Sequence, residues 1–220
     1  MKQVKIAVIG GGASGMMAAI SAGKSGASVT VFEASKRIGN KILMTGNGKC
    51  NFSNLILDDT CYYSKDKGFV REVMEQFSPN ATKLFFEEAG MLVKNKNGYL
   101  YPQGEQASIV LDILRLKLKE YSVCVYTESR ISKIQNQNNS FVIETENGKQ
   151  YVFDKVIIAT GGRSYPKTGS DGSGYELVKQ LKIGTKKPLP ALTGLCSPRK
   201  IFKSLSGVRT KGCISYFGKD

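Results

Sequence analysis

Val4 to Ile9 is a short, nearly continuous apolar run that stops at three glycines, positions 10, 11 and 12. A strand buried on both faces of a parallel sheet has this pattern. Ser14 to Lys24 carries alanine and methionine at helical spacing and is followed by Gly26, which predicts a helix with a glycine stop. Ser28 to Phe32 predicts the next strand. The crossover takes under 30 residues, the compact form of a βαβ unit.

Residues 35 to 60 break the periodicity with Gly39, Gly46, Gly48 and several Asn and Ser, and read as a long functional loop. Gly68 to Phe77 and Pro79 to Ala89 predict two helices, the second capped by Ser78 and closed by Gly90. Met91 to Val93 and Tyr99 to Tyr101 flank Asn97-Gly98, a hairpin signal. Ser108 to Tyr121 predicts a helix with Ile109, Ile113, Leu116 and Tyr121 available for a packed face. Val123 to Tyr126 is β-rich, Phe141 to Glu144 and Tyr151 to Phe153 bracket Asn147-Gly148 as a hairpin at the sheet's rim, and Val156 to Ala159 is another buried strand. Gly174 to Leu181 predicts a short helix. Lys186 to Pro190 is basic and proline-bearing, a linker pattern. The expected organisation is therefore an α/β, Rossmann-like two-layer domain over 1–190, a parallel sheet with helices and a small β-meander. The start of a β-rich second body, a substrate or insert domain, is expected over 191–220.

Composition narrows the chemistry. No stretch in the 220 residues approaches the roughly 20 apolar residues of a bilayer-spanning helix, and the N-terminal run enters glycines rather than a cleavage site. A cytoplasmic protein with no membrane partner is expected. The 5 cysteines are scattered without a C-x-x-C pair and histidine is absent. Disulfide frameworks, thioredoxin-type centres, zinc sites and histidine-activated nucleophiles are thus not expected. The net charge of +14 would suit a polyanion or a phosphorylated cofactor, although a lysine-rich solvated surface is the simpler account.

The strongest local motif is Gly10-x-Gly12-x-x-Gly15 between a predicted strand and a predicted helix. Its glycines permit the tight turn, the approach of pyrophosphate and close helix packing, and the helix N-terminus favours phosphate. Glu33, 18 positions after Gly15 at the end of the second strand, is placed to accept from a ribose diol and to repel a 2′-phosphate. This favours FAD or NAD over NADP. Val156 to Gly162, VIIATGG, brings a second glycine-ended strand towards the same crevice, a segment that a plain NAD dehydrogenase does not need. Alternatives stay open. An NAD-dependent dehydrogenase would lack flavin absorption, and a basic RNA-binding module on the same scaffold would bind RNA with steep salt dependence. No aromatic-rich RNA motif is present, so a nucleic-acid partner is not expected.

Specific runs then join the fingerprint: Gly39-Asn40-Lys41-Ile42-Leu43, Thr45-Gly46-Asn47-Gly48-Lys49-Cys50-Asn51, Asn54, Tyr101-Pro102, Ala159-Thr160-Gly161-Gly162 and Ser164-Tyr165-Pro166-Lys167-Thr168-Gly169-Ser170. In this order they resemble the bacterial flavoprotein family labelled HI0933-like or BaiN-like NAD(P)/FAD-dependent oxidoreductases, over about residues 1 to 195. The resemblance implies that Gly10, Gly12, Ala13, Ser14, Gly15, Glu33 and Ala34 hold the ADP half of FAD. It implies that Lys41, Thr45, Gly46, Gly48, Lys49, Cys50 and Asn51 wrap the pyrophosphate and flavin side. Arg130 and Ile131 would present backbone to adenine, and Ala159, Thr160 and Gly161 would close the crevice. It also implies NAD(P)H as reductant, a small-molecule substrate, and a longer chain that returns to complete the flavin site. The sequence departs from the family pattern at Asn47, where glycine is usual, at Lys49, where arginine is usual, and at Asp171-Gly172-Ser173. Cys50 and Tyr165 are candidate reactive groups, although a small buried apolar side chain is the simpler reading of Cys50. Oligomeric state is not legible in the sequence.

Overall fold

Alternate residues of the first strand meet different neighbours: Val8 packs among helices, whereas Ala7 and Ile9 pack against an antiparallel sheet. The computed structural model describes residues 2–64, 66–189 and 208. Strands β1 (Lys5–Ile9) and β2 (Ser28–Phe32) flank helix α1 (Ala13–Lys24), as the apolar pattern predicts. Residues 35 to 60, expected to be irregular, contain the short helix α2 (Asn40–Met44), a 3-10 turn over Thr45–Gly48 and strand β3 (Ser53–Asn54). Tertiary packing makes this helix. Ile38 and Ile42 are buried, and a Cβ on Gly39 would sit 2.2 Å from a Leu111 methyl group.

Helices α3 (Lys67–Gln76) and α4 (Pro79–Glu88) follow, and Ser78 Oγ caps α4 by accepting from the Ala81 N–H at 3.1 Å. The hairpin β4 (Val93–Lys96) and β5 (Tyr99–Pro102) turns at Asn97 (φ 53°) and Gly98 (φ 90°), both left-handed as the Asn-Gly signal requires. β3 pairs with β5 to complete a three-stranded antiparallel sheet. Helix α5 (Ala107–Glu120) buries Val110, Leu111, Ile113, Leu114 and Leu118. Leu116, expected on the packed face, is exposed. Its neighbours one turn away matched helical spacing equally well, and only the packing against α1 and α2 selects the inward face.

Strand β6 (Cys124–Tyr126) leads into β7 (Ile131–Gln137), β8 (Ser140–Thr145) and β9 (Gln150–Phe153), then β10 (Lys155–Ile158) and helix α6 (Ser173–Gln180). The parallel sheet has the order β10-β1-β2-β6. β7, β8 and β9 form a separate antiparallel meander rather than a rim hairpin. Ile134, Ile143 and Phe153 cover Ala7, Ile9 and Phe32. The small β-meander expected alongside the sheet thus forms a third layer, because parallel strands apolar on both faces need both faces covered. β7 escapes sequence reading since a register shift between Ile131 and Lys133 breaks its alternation. Residues 1–186 form one compact unit. The expected body from 191 onward lies outside the described residues, apart from Val208.

Candidate functional site

Register brings the three chain segments together. Ile9 pairs with Phe32 on one side and Ile158 on the other, so Gly10, Glu33 and Ala159 emerge side by side at the carboxyl edge of the sheet. The Gly10 N–H donates to Phe32 O at 2.8 Å and the Ala159 N–H to Ile9 O at 2.8 Å. From β1 the chain crosses to β2 on one side and later returns to β10 on the other. Open α/β sheets bind ligands at such switch points. Here lies a crevice of about 380 Å³ lined by Gly10, Gly12, Ala13, Ser14, Glu33, Ala34, Lys41, Thr45, Arg130, Ile131, Ala159, Thr160 and Gly161 among others.

The glycine turn divides its labour physically. A Cβ on Gly10, whose φ is +107°, would stand 2.5 Å from Ala159 O, and one on Gly15 would stand 1.8 Å from Gly10 O. These two let strand, turn and helix touch. Around Gly12 there is open space instead. Helix α1 begins at Ala13 with no side-chain cap, so its first N–H groups are available to an anion at the crevice. The Glu33 carboxylate is fixed across this turn. It accepts from the Gly11 N–H at 2.8 Å and from the Ser35 N–H and hydroxyl at 2.8 and 2.6 Å. A carboxylate so held keeps lone pairs for a ribose diol without an orientational cost.

The far wall is the loop after β10. Lys41 Nζ donates to Ser164 O at 2.8 Å and to Ser170 Oγ, so this cation ties the 163–172 loop to α2. Arg130 pairs with Asp171 at 2.8 Å. Burial opposes the charge of Asp171, but the Ser173 N–H and hydroxyl and the Arg130 guanidinium outweigh it and hold the carboxyl down to about 2. Arg37, Gly39, Ser129, Thr168, Gly169, Ser170 and Ser173 also line the crevice and went unassigned by sequence reading. For Ser170 and Ser173, the Ser-Tyr-Pro run was the available signal.

Other residues expected at the site sit apart from this lining. Gly15 packs behind the turn, Gly46, Lys49 and Asn51 border the β3-β5-β4 sheet, Gly48 lies beside Leu43, and Cys50 joins the buried core. Asn51 Nδ2 donates to Leu100 O at 3.0 Å, and Lys49 Nζ meets Glu105 at 2.8 Å rather than standing free for a phosphate. Tyr165 is exposed with φ 66°. Cys50 is buried beneath the 3-10 turn, and that burial raises its thiol pKa against a smaller opposing hydrogen bond with Thr45. Peptide-mapped iodoacetamide labelling at pH 8 should therefore modify exposed Cys61 and Cys124 at least tenfold faster than Cys50. Equal rates would place the Cys50 thiol in solvent. Among the described residues no group of three His, Cys, Asp or Glu is arranged to hold a metal ion.

A glycine turn, an uncapped helix N-terminus and a fixed carboxylate around one crevice define a dinucleotide-binding Rossmann domain. The family described as "HI0933-like protein Rossmann domain" matches residues 4–216, and the chain belongs to it. It is 40% identical over 213 residues to a 3-dehydro-bile acid delta(4,6)-reductase of Clostridium scindens, covering 96% of this chain and 52% of that protein. It is 31% identical over 208 residues to a ribosomal RNA dihydrouridine synthase of Haemophilus influenzae, covering 91% and 51%. The chain thus spans about half the length of these curated relatives. The fold is similar to part of the open conformation of a flavocytochrome c3 fumarate reductase, with a TM-score of 0.56 and 19% identity, covering 82% of this chain and 40% of that one.

Proposed function

We propose that this chain carries the FAD-binding part of an oxidoreductase that uses NAD(P)H to reduce a carbon–carbon double bond conjugated to a carbonyl. The observation that carries the reading is the Glu33 carboxylate held over the Gly10–Gly15 turn, with the Ala159–Gly161 backbone closing the same crevice. The residues fit the ADP half of FAD. The open space at Gly12 admits a pyrophosphate against the N–H groups of Ala13 and Ser14, Glu33 would accept from the ribose, and Ala34, Arg130 and Ile131 would flank the adenine. Bound FAD supplies hydride or electron transfer, while the protein binds, orients and excludes water. The resemblance puts the Thr45–Asn51 loop on the flavin side. Its fastening to β5 gives that side a rigid wall.

The relatives' names support the reaction class. A 3-dehydro steroid with a Δ4 alkene and the pyrimidine ring that becomes dihydrouridine both present an alkene conjugated to a carbonyl. A substrate of this electronic type, in a soluble compartment, is our assignment for this chain. The test is the absorption spectrum of purified protein after FAD reconstitution, followed by anaerobic addition of NADH or NADPH. Bound flavin with bands that bleach on reductant addition is expected. Failure to retain FAD with the fold intact by circular dichroism would overturn the reading.

A further inference from the structure

The loop that follows β10 is fastened to both walls of the crevice by polar contacts. Of the described residues 163–171 only Ser170 is buried, and a segment with so little buried apolar surface opens at low cost. Its turns depend on left-handed residues, Gly169 at φ 93°, Gly172 at φ 87° and the non-glycine Tyr165 at φ 66°. At one wall Lys41 on α2 donates to Ser164 O and to Ser170 Oγ. At the other, Arg130 at the entry to β7 pairs with Asp171 at 2.8 Å, both side chains about one third exposed. Thr168 and Gly169, between the two fastenings, line the crevice. Arg130 also has a second carboxylate within reach. Its Nε stands 3.6 Å from Glu146, in the turn between β8 and β9, whose side chain is 64% exposed. The guanidinium therefore has two arrangements, one that holds the loop and one that keeps a partner after the loop is released. Asp171 loses little on release, because the Ser173 N–H still donates to it at 2.9 Å.

We infer that the 163–172 loop is a strap across the crevice and that the Arg130–Asp171 pair is its latch, which sets how fast the dinucleotide enters and leaves but not how tightly it is held. The identity of that ligand rests on the FAD reading above. Lys41 is the fixed end of the strap, since its ammonium holds two acceptors on the loop, one of them the buried Ser170. Arg130 is the end that lets go, since Glu146 takes over part of its charge. Asp171 stands outside the crevice lining, so its carboxylate acts on the ligand only through the strap. A contact made equally with and without ligand shifts no binding equilibrium. Entry and exit nevertheless both require the strap to lift. Both rates then scale with the fraction of molecules whose latch is open, and their ratio stays constant.

The test is Asp171→Asn, which keeps an oxygen for the Ser173 N–H and removes the charge that holds Arg130. Stopped-flow FAD fluorescence and jump dilution should show association and dissociation both faster by about fivefold, the upper end for a part-exposed ion pair, with Kd within about twofold. Trypsin cleavage of the FAD-free chain after Arg163 and Lys167, mapped by mass spectrometry, should accelerate by the same factor, because cleavage tracks the open population. Asp171→Glu restores the charge and should return all three readings towards wild type. Glu146→Gln removes the partner of the released guanidinium and should slow all three by about twofold. The control Glu176→Gln takes one carboxylate from α6 and should leave them unchanged. A dissociation rate that rises alone in Asp171→Asn, unchanged trypsin cleavage in that variant, or acceleration by Glu146→Gln would each overturn the proposal. Faster cleavage in Asp171→Asn with no FAD held by any form would strike the FAD reading and leave the strap standing.

Discussion

Glu33→Arg is expected to lower FAD affinity at least about 100-fold, since charge-assisted hydrogen bonds contribute about 1.5–3 kcal/mol each and a ribose diol would lose two. Part of the loss is structural. The wild-type carboxylate accepts from the Gly11 N–H and from both donors of Ser35, and an arginine there accepts nothing. The Gly11 N–H would be left half-buried without its partner, at a cost of about 1–3 kcal/mol to the apo fold. Glu33→Gln separates the two contributions. One amide oxygen can retain the Gly11 contact while the amide NH2 faces the Ser35 N–H, so the variant keeps part of the apo stability that Glu33→Arg loses, and FAD affinity still falls about tenfold. Titration of FAD fluorescence quenching on apo protein, with a thermal melt of each variant, reads both quantities. FAD affinity unchanged in Glu33→Arg would remove Glu33 from the ribose contact.

Gly10→Ala and Gly12→Ala should fail in opposite ways although they are two positions apart in one turn. At Gly10 the new methyl meets Ala159 O at 2.5 Å and the Ala159 carbonyl carbon at 2.8 Å, both backbone, with φ at +107°. Strand β10 cannot yield without breaking its pairing to β1. About 3 kcal/mol or more is expected from clash and left-handed strain together, a fall in Tm of roughly 6–12 °C for a domain of this size. At Gly12 the backbone is extended, φ −77° and ψ −174°, and nothing lies within 4 Å of a Cβ. Apo stability should change by less than about 0.5 kcal/mol. The methyl would instead occupy space that a pyrophosphate needs, and FAD affinity should drop at least tenfold. Melts of the apo variants and FAD titrations check the contrast. Wild-type FAD affinity in Gly12→Ala would mean that no phosphate approaches that turn.

What local chemistry dictates was legible in the chain. The apolar run ending in glycines set β1 and its turn, Ser78-Pro79 set the start of α4, and Asn97-Gly98 set a hairpin, because each depends on conformational preferences of neighbouring residues alone. The placement of Glu33 beside Gly10 followed too, since a strand-helix-strand unit of that length returns next to its start. Three features depended on contacts between distant segments. Helix α2 exists because it packs on α5, with Gly39 against Leu111 and Ile42 buried, and α5 turns Leu114 rather than Leu116 inward because α1 and α2 lie there. The small β-meander was expected, but that it covers one face of the parallel sheet is set by packing between distant segments. The same holds for charge. Lys49 belongs to a loop that the resemblance sets at the pyrophosphate and flavin side, and the fold sets Glu105 within 2.8 Å of it. A side chain's residue type fixes what it can bind, and the fold alone decides which partner is near enough to be bound.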